Sequence, residues 1–165
     1  MKIMREKLWN LLDKTRYDYN YYQEYRQHLE KMRIIVVAVT SITAFVVISL
    51  SSLIDGLGVL WHLMLLASGV TAIIFEKLMI ADRITALKYF IPELNQQLDE
   101  LNVAWVNVNE LYNYESEDIA KTYTNHLVAI SKLTEKYIDD LYFPQHEKSA
   151  KKAIEITKHW AERLS

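Results

Sequence analysis

The chain has 165 residues, 51% of them hydrophobic, and a formal net charge of −2. Its mean hydropathy is nonetheless close to zero, so the apolar residues are bunched rather than spread. The absence of cysteine rules out disulfide scaffolds, thiolate zinc sites and cysteine nucleophiles, and the slightly acidic balance provides no basic field for nucleic acid. Three glycines and two prolines are too few for a turn-rich β fold, which leaves an all-α chain.

Residues 1–33 read as an amphipathic cytoplasmic helix running into the first apolar run. Tyrosines fall at 17, 19, 21, 22 and 25. Tyr17, Tyr21 and Tyr25 share a face by their i,i+4 spacing, and Tyr22 lies with Arg26 and Leu29 on another. Tyr17, Tyr21, Tyr25 and Arg26 are therefore candidates for a cytoplasmic interaction surface. The alternative is packing against the other cytoplasmic helices, with the hydroxyls at the wet edge.

From Ile34 to Ile54 there are 21 residues without a charge, and 13 of them are Ile, Val, Leu or Phe. As a helix this run is about 31 Å long, close to the hydrocarbon thickness of a bilayer. A helix is also the form that pairs its own backbone in lipid. A second run, Leu57 to Phe75, has His62 as its one ionisable group. The central helices of a soluble bundle would carry charges on one face, and neither run does. The connection between the runs, Asp55-Gly56, forces the helices antiparallel. Residues 34–75 thus read as a two-span transmembrane hairpin, with spans 34–54 and 57–75.

Eight basic residues precede the first span (Lys2, Arg5, Lys7, Lys14, Arg16, Arg26, Lys31 and Arg33) and the turn has none. Lys77, Arg83 and Lys88 follow the second span. Positive residues stay on the cytoplasmic side, so both termini are expected inside a multi-pass inner-membrane protein. Met32-Arg33 and Glu76-Lys77 would mark the inner interface.

Residues 76–165 form a cytoplasmic helical region. Leu87, Phe90, Leu94, Leu98, Leu101, Trp105, Val108 and Tyr112 step by three or four, as a buried stripe does. Pro92 predicts a kink or a fresh helix start near Ile91. Ser116, with Glu117 and Asp118 after it, reads as a new helix start. Ile119, Tyr123, Leu127, Ile130, Leu133, Tyr137 and Leu141 follow on one side, and Tyr142-Phe143-Pro144 ends that helix. The last amphipathic helix presents Ala153, Ile156, Trp160 and Leu164. These stripes predict burial within one protomer or between copies of the chain.

No active site is legible. Gly56, Gly58 and Gly69 all lie in the hairpin, so no cytoplasmic glycine loop cradles phosphates. The histidines at 28, 62, 126, 146 and 159 lack metal-ligand spacing. Neighbouring carboxylates such as Asp139-Asp140 point apart on a helix. Catalytic residues, cofactors and metals are not expected, nor is an enzyme. The spans offer more. Thr40, Ala44, Val47 and Ser51 share a face of the first, and His62, Gly69 and Glu76 recur every seven residues in the second. Those seven residues are candidates either for helix packing or for the lining of a water-filled path assembled from several copies.

The order of parts resembles a known family. A basic, tyrosine-bearing helix (Lys14-Thr15-Arg16-Tyr17 through Arg26) passes through Lys31-Met32-Arg33 into two spans with a minimal turn, and an amphipathic helical region follows. This looks like the SLATT group, the SMODS- and SLOG-associating two-transmembrane effector domains of bacteria. The resemblance implies a homo-oligomeric effector of anti-phage or conflict systems that permeabilises the inner membrane. Its trigger would be a nucleotide signal or a partner protein that synthesises or senses one. The family supplies no catalytic motif, so no residue inherits a role from it. The expected partners are the lipid bilayer, further copies of the chain and that protein, but not nucleic acid. The competing expectation is a two-span anchor that recruits a cytoplasmic partner.

Overall fold

A computed structural model of the chain describes residues 2–51, 58–75, 80–110, 116–141 and 143–163. The described residues are mostly helical, with no strand among them, and form five helices: α1 (Lys2–Ser51), α2 (Gly58–Phe75), α3 (Asp82–Glu110), α4 (Ser116–Tyr137) and α5 (Glu147–Ala161). The chain divides into two compact units, Met1–Arg26 with Ala86–Ser165, and Gln27–Thr85.

No glycine or proline interrupts residues 2–51, and α1 accordingly runs unbroken for 50 residues. Among the described residues, α1 is the one helix long and apolar enough to cross a membrane. The connection containing Asp55-Gly56 lies outside the described residues, as do Glu76 and Lys77.

In the first unit the stripe of α3 forms the core. Leu87, Phe90, Leu94, Leu98, Leu101 and Val108 are buried, and Leu8, Leu11 and Leu12 of α1 meet Leu98, Leu101, Val108 and Ile119 in one cluster. Tyr112 lies outside the described residues. Pro92 does not start a new helix: it sits inside α3 on the exposed side, where solvent can serve the carbonyl that the ring leaves unpaired. Helix α4 opens at Ser116 with Glu117 and Asp118 in its first turn. It is tied to α3 by the Tyr137 hydroxyl, which donates to Glu93 at 2.5 Å, and by the His126 Nδ1 contact with Gln97 at 3.2 Å. Its expected stripe is only partly covered, with Ile119 buried and Leu127 43% exposed.

Helix α5 follows the expected pattern at Ala153, which is buried, and at Trp160, which packs against the core cluster, and departs from it at Ile156. Its buried positions are Ser149, Ala150, Ala153 and Thr157, while Ile156 is 38% exposed and Leu164 lies outside the described residues. The reason is local chemistry at the contact with α1. Small side chains occupy the covered face, the Asn20 amide donates to the Thr157 hydroxyl, and Lys152 pairs with Glu24 at 2.8 Å. The His146 ring caps the helix start, with Nδ1 accepting from the Ser149 N–H at 3.2 Å.

Candidate functional site

In the unit Gln27–Thr85, α1 carries three described side chains of the stripe chosen from the sequence. Val47 is buried and Thr40 and Ala44 are half-buried, whereas Ile34, Ile42, Phe45 and Ile48 are exposed, Phe45 by 72%. The Thr40 hydroxyl donates to the Val36 carbonyl at 2.8 Å, and the Thr43 hydroxyl to the Val39 carbonyl at 2.8 Å. Both donors are thus satisfied inside their own helix. On α2, His62 and Gly69 are exposed, and a Cβ added at Gly69 would meet nothing within 4 Å. The Ser51 side chain and Glu76 lie outside the described residues.

In the other unit, the tyrosines of α1 form a ladder. Tyr17 stacks on Tyr21 at 6.2 Å between ring centroids, and Tyr21 stacks on Tyr25 at 5.9 Å. The ladder is not simply a surface. Tyr25 is 3% exposed, because Phe143 and His146 pack on its ring at 6.0 Å each. The Tyr21 hydroxyl accepts from the His146 N–H at 3.2 Å. Tyr17, Tyr21 and Arg26 are half-buried. The segment after α4 therefore folds back over half of the face expected to await a partner.

The site with the most chemistry lies between α1, α3 and the α4 region, all within this unit. A cavity of about 280 Å³ is lined by Leu11, Lys14, Thr15, Asp18 and Tyr22 from α1 and by Phe90 and Leu94 from α3. Leu127, Ile130, Ser131 and Thr134 of α4 and Asp139 beyond it close the other side. A second, more open hollow lined by Lys7, Asn10 and Tyr123 shares Leu11, Lys14 and Leu127 with it. Tyr22 meets Phe90 edge to face at 5.1 Å. Burial pushes the Asp18 carboxyl up to about 6, with Lys14 pulling more weakly the other way. Burial, followed by the charge of Asp18, pushes the Tyr22 hydroxyl up to about 12.

The sequence contained a signal for this site. Leu8, Leu11, Thr15, Asp18, Tyr22, Tyr25 and Leu29 step alternately by three and four along α1. A carboxylate in the middle of a buried stripe is costly without a purpose. A second group also escaped the sequence reading. Trp9 lies against Trp105 at 5.0 Å and stacks on Trp160 at 5.7 Å, while the Arg16 guanidinium sits 4.7 Å over the Trp160 ring. Burial lowers the pKa of Arg16, partly offset by Asp99.

No family model matches the chain, and neither a curated protein nor a solved structure matches it.

Proposed function

We propose that the chain is a two-span protein of the bacterial inner membrane, both termini cytoplasmic, that oligomerises as a defence effector and permeabilises the membrane when triggered. The trigger is a nucleotide signal or a partner protein, as the resemblance to the SLATT group implies. One observation carries the membrane part of this reading: in the most apolar stretch of α1 only 6% is buried. Exposed Ile, Val and Phe side chains on that scale would drive aggregation in water and are at no cost in lipid.

The test is membrane potential. Cells expressing the chain together with its neighbouring genes are loaded with a potential-sensitive dye and challenged with phage. Depolarisation that depends on the chain is expected. An unchanged potential during a protective response sinks the effector reading.

A second reading, a membrane anchor that recruits a soluble partner, is favoured by the threonine hydroxyls. Because Thr40 and Thr43 donate to their own helix, their face offers little polar lining for a water path. Replacing residues 34–75 with an unrelated two-span hairpin separates the two: an anchor keeps its function and a pore loses it.

A further inference from the structure

The cavity around Asp18 has an unbalanced lining. The Thr15 hydroxyl donates to the Leu11 carbonyl at 2.7 Å and the Thr134 hydroxyl to the Ile130 carbonyl at 3.0 Å. With their protons spent, both oxygens can only accept from whatever occupies the cavity. Asp18 and Asp139 add two carboxylates. Among the described residues, no hydrogen bond reaches the Asp18 carboxylate, although it sits on the buried stripe of α1. The donors facing the cavity are Lys14, Ser131 and the Tyr22 hydroxyl, and Lys14 is its one cation and is exposed. Acceptors and negative charge therefore predominate, so the site favours a cation that donates hydrogen bonds. The remaining walls are apolar or aromatic: Leu11, Phe90, Leu94, Leu127 and Ile130. The Tyr22 and Phe90 rings, packed edge to face, belong to this lining as well. The volume of about 280 Å³ corresponds to roughly nine water-sized groups, the small end of ligand sites.

We propose that this cavity binds a small organic ammonium ion, its charged end on the Asp18 carboxylate and its apolar part against Leu94, Leu127 and Ile130. The size restricts the occupant to a free small amine. The proposal does not rest on the membrane reading, because binding is measured on the full chain in detergent micelles with no ion flux involved.

The experiment is calorimetric titration with n-butylammonium and phenethylammonium into the millimolar range. n-Butanol, 2-phenylethanol, butyrate and inorganic phosphate serve as controls, and helical circular dichroism verifies folding of each variant. Saturable one-to-one binding of an ammonium probe is expected, with none for the alcohols. Asp18→Asn should weaken it about tenfold or more, as loss of a desolvated charge partner does. Leu127→Trp, which adds bulk to a lining position, should abolish it, and Lys14→Gln should tighten it. Should Asp18→Asn fail to fold, Leu127→Trp and pH decide, since affinity should fall as pH drops below about 6 and the carboxylate takes up a proton. The proposal is overturned if neither ammonium saturates, or if the alcohols bind equally well, which means an apolar hole only. It is equally overturned if butyrate or phosphate binds instead and Lys14→Gln removes that binding.

Discussion

The Asn20 amide donates to the Thr157 hydroxyl at 3.0 Å, across 137 positions of the chain and with both side chains buried. This bond locks α5 onto the N-terminal half of α1. Removing one partner strands the other without water. Thr157→Val should cost about 1–3 kcal/mol of stability, measured by denaturant unfolding of the detergent-solubilised chain. The double variant Asn20→Leu with Thr157→Val should recover part of that loss, because no orphaned amide remains. A cost near zero for Thr157→Val would mean that the amide finds another partner.

Asp18 makes stability depend on pH in an unusual direction. Its pKa rises from 3.8 in the unfolded chain to about 6 in the fold, so between those values the folded state holds more protons. Stability therefore falls as pH rises through about 4 to 6, by at most about 3 kcal/mol from this one group. Asp18→Asn should flatten that slope and be more stable than the parent at pH 7.5. Unfolding midpoints at pH 4.5 and 7.5 for both proteins check it, and parallel profiles would refute it.

Trp9 holds the far end of the bundle between two rings, Trp105 and Trp160. Trp9→Ala removes both ring contacts and should cost about 3 kcal/mol. Trp160→Ala should cost less in packing, but it also removes the ring beneath Arg16. Thermal unfolding followed by circular dichroism orders the two variants.

Along the apolar part of α1, the covered face should tolerate loss of hydroxyls but not added bulk. In the proposed membrane assembly, Thr40→Val and Thr43→Val, whose hydroxyls bond only to the helix itself, should leave membrane retention and cross-linked oligomers unchanged. Val47→Trp, at a position 4% exposed, should disturb both. Indifference to Val47→Trp would move the packing face elsewhere.

The chain has no cysteine, so single-cysteine variants report topology without background. In the proposed membrane arrangement, Lys2→Cys and Lys151→Cys react with an impermeant maleimide only after the inner membrane is opened. Ile42→Cys stays unreactive throughout. Labelling of Lys2→Cys or Lys151→Cys in intact spheroplasts would reverse the orientation.

Part of this molecule was legible from one strand of evidence, the spacing of apolar residues. Leu87, Phe90, Leu94, Leu98, Leu101 and Val108 repeat at the helical period and are buried, because a helix has one face to hide and the pattern marks it. The uncharged run after Arg33 likewise marks the most apolar stretch of α1, of which 6% is buried. Of the two outcomes that Pro92 predicts, the fresh helix start is not found, because a proline on the exposed side of a long helix costs a hydrogen bond without ending the helix.

Composition and periodicity by themselves determined the helical class, the core stripe of α3 and the apolar segment of α1, since each depends only on residues near one another in sequence. Tertiary structure decided the rest. Whether Ile156 or Thr157 faces inward on α5 depends on Asn20, and the burial of Tyr25 depends on Phe143 and His146. The cavity at Asp18 exists because α1, α3 and α4 leave a gap where their stripes meet. A void is a property of three surfaces together, and no single helix records it.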